Sequence, residues 1–401
     1  MKGVLAGAAL LLALAACQEK LTSPADCPSI CPGGKQAVLD TVLEAAPNGD
    51  TTFVGYVGRG AGTGLVLATG LPIGDSRGLV RFAPLSDSVT LGDTARAITS
   101  VDSVTFTIGL QVRDTLTPSL RILLYRMPAT VDSTTTFAAT DPIFADPANL
   151  VDSIAVPDTM RSGSLRIVFT AADLAKLTIP PADLGVLALG LVVHGPQPTG
   201  LRASANGGTV PPTLTRFVHV NVADTTLAKQ TQVRGAFLTT YVNPNAPPGL
   251  DPDPNLLTVG GAPSARSIVR FTLPPLIRDS ATIVRATLEL IPAAPIAGVP
   301  GVADILEARP IVADLGKKSP VDGTLFTDVL LPDGLSDTVR IEVTRFAARW
   351  QGVGRRPAGL FLALTPEGST FGRVAFNSTR SPVGRPRLRI TYQLPFPFEK
   401  P

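Results

Sequence analysis

The chain of 401 residues carries 37 Gly and 38 Pro, with 44% hydrophobic, 17% charged and 5% aromatic residues. So much Gly and Pro favours short strands joined by turns over long helices, and the apolar share is too high for a disordered stalk. A formal net charge of +3 offers no electrostatic footprint for nucleic acid.

Met1 and Lys2 supply positive charge, and Val4 to Ala16 is an uncharged run of mostly Leu, Ala, Val and Gly, the pattern of a signal peptide. The run is shorter than the roughly 20 apolar residues that span a bilayer, so residues 1–16 are expected to be removed. Leu14-Ala15-Ala16-Cys17 resembles the bacterial lipobox. That resemblance implies diacylation of the Cys17 thiol, cleavage before it and acylation of the new amine. Gln18 in the second mature position resembles lipoproteins passed on to the outer membrane of Gram-negative bacteria. The expected location is therefore the cell envelope, with the chain held to a membrane by acyl chains, several of which anchor stably where one is marginal.

Residues 17–49 are expected to form a lipidated tether, with a short helix at Ala37 to Ala45. Within it Cys27 and Cys31 can close a small disulfide loop in an oxidising compartment or remain free thiols. A zinc site needs about four ligands, and the only histidines, His194 and His219, are far away in sequence. No metal or cofactor is expected.

Internal repetition organises the rest. Asp50-Thr-Thr-Phe53 recurs as Asp224-Thr-Thr-Leu227, and Ser164-Leu-Arg-Ile-Val-Phe-Thr170 as Thr338-Val-Arg-Ile-Glu-Val-Thr344, both displaced by 174 residues. Gly78-Leu-Val-Arg-Phe82 recurs as Ser267-Ile-Val-Arg-Phe271 at a larger spacing, which places an insertion at the Pro-rich segment 243–254. The spacing predicts two units, 50–222 and 223–395, followed by a tail at 396–401. Within them Val104, Phe106, Ile108 and Leu110 alternate with Thr105, Thr107 and Gly109, as Leu388, Ile390 and Tyr392 do with Arg387, Arg389 and Thr391. Such alternation implies half-buried antiparallel strands packed as β-sandwiches. One short helix per unit is expected, capped by Thr170 with Asp173 three positions on, and by Thr344, with Gly352 and Gly354 ending the second.

Arg270-Phe-Thr-Leu-Pro-Pro-Leu-Ile277, Ile341-Glu-Val-Thr-Arg-Phe-Ala-Ala-Arg-Trp350 and Arg385-Pro-Arg-Leu-Arg-Ile-Thr-Tyr392 resemble the opening, the Trp-bearing helix and the closing strand of a DNRLRE-type domain. The resemblance covers most of the second unit, and the first unit joins it only through the repeat. It implies an all-β fold of two tandem jelly-roll-like antiparallel β-sandwich domains, of a kind found in bacterial surface proteins and beside polysaccharide-degrading enzymes, with some members binding polysaccharide. The string that names the family is absent, and no ligand site carries over.

No nucleophile with a base stands out, because neither histidine sits in a nucleophile-elbow or zinc pattern, so the chain is read as noncatalytic. Asp251 and Asp253 lack the ladder of a calcium loop and read as a solvated turn. Trp350, with Phe346 four residues earlier, reads as core rather than as a sugar platform. Arg380, Arg385, Arg387 and Arg389 cluster near the last strand. They read either as a solvated strand face or as a grip on an acidic polysaccharide. Two functions remain: an envelope module that binds polysaccharide, and an assembly protein that holds other envelope proteins without glycan affinity.

Overall fold

The computed structural model describes residues 38–55, 62–71, 74–177, 183, 185–222, 225–244, 253–261, 264–352 and 354–395. The expected signal peptide, Cys17, Cys27, Cys31, Asp251 and the tail lie outside the described residues. The fold is all-β, built from large antiparallel sheets packed as sandwiches, as the alternation predicts.

The first element corrects the expected tether helix. Val38–Glu44 is a strand, β1, because Leu39, Thr41 and Leu43 alternate with Val38, Asp40, Val42 and Glu44 and an edge strand is free to pair with it. β2, Asp50–Val54, follows. The chain then builds a first sandwich from β3 (Gly64–Thr69), β4 (Arg77–Phe82), β5 (Ser88–Leu91), β6 (Thr94–Arg113), β7 (Arg121–Met127), β8 (Leu150–Ala155), β9 (Gly163–Phe169), β10 (Ala188–His194), β11 (Thr199–Ser204), β12 (Thr213–Val222) and β13 (Thr225–Val242). One run of pairing is β3-β11-β6-β12 with β9 on β6, and the other is β13-β4-β10-β7-β8. The long β13 joins them, pairing β12 in its first half and β4 in its second. Between the layers lie the predicted inward residues Val104, Phe106, Ile108 and Leu110, with Phe82 edge-on to Phe106 at 6.1 Å.

Two short helices belong to this sandwich where one was expected. α1, Phe137–Ala145, was missed because Pro142 lies inside it. α2, Ala171–Lys176, carries the predicted capping box: Thr170 N donates to Asp173 Oδ2 at 2.8 Å and Asp173 N to Thr170 Oγ1 at 3.3 Å.

The second sandwich contains β14 (Leu256–Gly260), β15 (Ala265–Arg270), α3 (Pro275–Asp279), β16 (Thr282–Leu290), β17 (Asp304–Pro310), β18 (Thr327–Leu331), β19 (Val339–Glu342), α4 (Thr344–Ala347), β20 (Gly359–Thr365), β21 (Arg373–Asn377) and β22 (Arg387–Gln393). One sheet runs β1-β22-β16-β19 and the other β18-β17-β20-β15-β14-β21, with β2 also paired to β15. Leu288, Leu388 and Ile390 from the first sheet meet Val269, Leu306, Leu362 and Phe376 from the second, and Phe346 and Trp350 seal the same core. The expected Thr344 cap is not made. Val343 is the N-cap residue, and Thr344 Oγ1 instead accepts from Ala286 N at 2.7 Å, tying the helix to β16. Gly352, at φ +75°, takes the left-handed conformation that ends the helical segment.

Strand pairing therefore draws boundaries different from 50–222 and 223–395. β1 and β2, the first strands of the chain, complete the second sandwich, and β13 completes the first. The match of Asp50–Phe53 to Asp224–Leu227 is thereby corrected: by pairing, Thr51-Thr52-Phe53-Val54 of β2 is equivalent to Thr239-Thr240-Tyr241-Val242 of β13, the one pairing with β15 and the other with β4, the two copies of the Val-Arg-Phe strand. The first sandwich is thus inserted between two parts of the second. At the joint Val66, Ala68, Leu71 and Tyr241 meet Val299 and Phe371. Tyr241 Oη donates to Gly368 O at 2.8 Å, and Arg202 Nη1 to Ser369 O at 3.1 Å. A Cβ on Gly200 would sit 2.9 Å from Val299 Cγ2, so the close approach requires glycine there.

Candidate functional site

The four arginines singled out in the sequence do not converge. Arg380 Nη1 donates to Asp50 Oδ1 at 3.1 Å and to Pro254 O at 3.3 Å. Asp50 is buried and also accepts from Thr379 N at 2.7 Å and Thr379 Oγ1 at 2.6 Å, so this arginine helps fix the start of β2. Arg385 Nε donates to Ser381 O at 2.9 Å, and its Nη1 lies 3.7 Å from Glu44. Arg387 and Arg389 project from the outer face of β22, as expected, but onto a ladder of alternating charge. Across the strands Glu44, Arg387, Glu289 and Arg340 stand opposite one another in register. Arg389 Nε lies 3.4 Å and Arg340 Nε 3.8 Å from Glu289 Oε1, and Arg285 Nε lies 3.2 Å from Glu342. The shallow opening there, about 440 Å³, is lined by Arg285, Arg340 and Arg389 against Asp40, Glu289 and Glu342. Its cations are matched by anions.

The other face of the second sandwich differs. Alternation along β2, β15, β20 and β17 sends Thr51, Ile268, Phe361 and Arg309 outward in one cross-strand row. Phe53 stands opposite Arg266 in the next. With Lys317 and Lys318 from the loop after β17, Phe53, Arg266, Ile268, Arg309 and Phe361 line an open groove of about 440 Å³, within the usual range for ligand sites.

Two guanidinium-carboxylate forks fix its polar groups. Arg266 holds Glu367 through Nε at 2.6 Å and Nη2 at 2.7 Å, and Ser264 Oγ donates to the same carboxylate at 2.9 Å. Arg309 holds Glu307 at 2.5 and 2.9 Å, while its Nη1 donates to Asp322 O at 3.1 Å. The Glu307 bond pushes the Arg309 pKa upward. Burial, then the neighbouring charge of Glu307, pushes Asp328 up. The Arg266 guanidinium lies 5.5 Å from the Phe361 ring centre and that of Arg309 lies 5.0 Å from Phe326, within cation-π range. Arg266, Arg309, Lys317 and Lys318 face Glu307 and Glu367, an excess of positive charge.

This arrangement sets fixed polar groups beside apolar surface, which can hold a ligand. Both lining carboxylates are engaged through both oxygens by an arginine. His219 lies on the first sandwich, with Nε2 2.8 Å from Asp102 Oδ2, opposite Lys229. His194 is an exposed strand end. Asp253 Oδ1 accepts from Asn255 N at 2.8 Å, closing a side-chain turn. Among the described residues no group of three or more His, Cys, Asp or Glu is placed to hold a metal ion, and no helix is long and apolar enough to cross a membrane. Trp350 is fully buried.

Sequence reasoning missed the groove because its residues come from five separate segments. One local signal was present: Glu307-Ala308-Arg309 places two opposite charges two apart on a strand, hence on one face. No protein-family model matches the chain, and no curated protein matches it.

Proposed function

We propose that the protein is a noncatalytic lipoprotein of the bacterial cell envelope, anchored through Cys17, that binds polysaccharide along the groove of Phe53, Arg266, Arg309 and Phe361. The groove carries the reading: two rigid forks and half-buried rings offer oriented polar contacts beside apolar surface, and its excess positive charge favours an acidic chain. The ladder around Arg387 and Arg389 is the weaker candidate, since its guanidinium groups already face carboxylates.

Affinity gels containing uronate-rich or neutral polysaccharide, run at low and high salt with the mature unacylated chain, test this. The acidic gel should retard the protein at low salt. Phe361→Ala should weaken retardation about tenfold, and Arg387→Ala/Arg389→Ala should leave it unchanged. Loss confined to the Arg387/Arg389 variant would move the site to β22, whereas co-purifying envelope proteins without any retardation would favour the assembly role. Separately, Cys17→Ser should abolish incorporation of labelled palmitate and membrane retention; undiminished label contradicts the anchor.

A further inference from the structure

The chain enters the described fold beside a basic end of the second sandwich. Val38 pairs with Gln393, which also pairs with Thr282 at the start of β16. α3 ends three residues before Thr282. The segment after α4 closes onto α3: Gln351 Nε2 donates to Ile277 O at 2.5 Å and Ala281 O at 2.8 Å, and Gly352 N to Arg278 O at 3.2 Å. Arg355 Nη1 lies 3.7 Å from Asp279.

Arg278 and Arg355 lie against Asp279 and Arg285 against Glu342, and the helical segment that follows Glu342 carries Arg345 and Arg349. Arg345 on α4 and Arg349 on the 3-10 turn that follows it are both exposed, and no described residue pairs with either guanidinium. On the elements of this end, Leu276 of α3 is 47%, Val284 of β16 49% and Val38 of β1 55% exposed. Guanidinium groups and exposed apolar side chains on neighbouring elements, at the end where the described chain begins pairing at Val38, match the chemistry of a phospholipid surface.

We propose that this end, Arg345, Arg349 and Arg355 with Leu276 and Val38, docks on the anionic headgroups of the bilayer that holds the anchor. The second sandwich then stands against the membrane. The inference rests on the lipid-anchored reading for its orientation, while the surface's affinity for anionic lipid is independent of acylation.

The mature chain from residue 18 onward, carrying no acyl group, is sedimented with vesicles of phosphatidylethanolamine and phosphatidylglycerol, or of phosphatidylcholine alone. Binding should require phosphatidylglycerol and fall with salt. Each arginine removed should lower partitioning about fivefold, so Arg345→Gln/Arg349→Gln/Arg355→Gln should lose about a hundredfold. The matching triple Lys variant should retain binding, and Lys317→Gln/Lys318→Gln should change little. Equal binding to both vesicles, or a triple Gln variant that melts normally and binds unchanged, overturns the proposal. Palmitate labelling of the full chain separates the premises: absence of label removes the anchor and leaves the vesicle result to decide the surface.

Discussion

Trp350 and Asp304 show how differently single buried groups act. Trp350 is fully enclosed with Phe346 against the second core. Trp350→Ala should therefore lower stability by about 3 to 5 kcal/mol, read as a shifted midpoint in urea; a shift below about 1 kcal/mol would mean the ring is not a packing element. Asp304 sits at the joint facing Arg202, and burial, opposed by that arginine, pushes its carboxyl up to about 6. A carboxyl whose folded pKa exceeds its unfolded value binds a proton on folding, so stability should fall as pH rises from about 4 to about 6, by up to about 3 kcal/mol, and stay flat beyond. Asp304→Asn should remove that slope in thermal melts; an unchanged slope would assign it to other groups.

The strands explain what was legible and what was not. Alternation over Val104 to Leu110 and Leu388 to Tyr392, and the Thr170-Asp173 capping box, are local signals; the structure reproduces the capping box and the inward residues of both strands, while Thr105 and Gly109, expected on a solvent face, are buried as well. β1 was unreadable because a seven-residue segment is a strand only if an edge accepts it, and its partner β22 lies at the far end of the chain. The domain boundary failed for the same reason. The repeat fixed equivalence between segments, but nothing local says that β2 pairs with β15 rather than with β4 of its own repeat. A fragment of residues 223–395 lacks β1 and β2 and leaves β13 without β12 and β4, so it should aggregate or remain molten. Residues 253–395 joined by a short linker to 38–55 should instead unfold cooperatively with a β-type circular dichroism spectrum. Cooperative folding of 223–395 would contradict the exchanged pairing.

At the scale of the molecule, insertion of one sandwich into the other ties them by two chain crossings and a partly apolar joint. Phe371→Ala should loosen the joint at Val66, Val299 and Tyr241 and separate one calorimetric transition into two, while a single undivided transition would show that the chain crossings alone couple the units. The groove lies on the second sandwich, whose other sheet carries the charge ladder, so the two candidate faces are distinguishable in one experiment. Hydrogen exchange of the mature chain, with and without saturating uronate-rich polysaccharide, reads both. Binding in the groove predicts slowed exchange at 264–268, 307–309, 315–321 and 359–367, with β16 and β22 unaffected; slowing confined to β16 and β22, or none anywhere at saturation, would contradict the account.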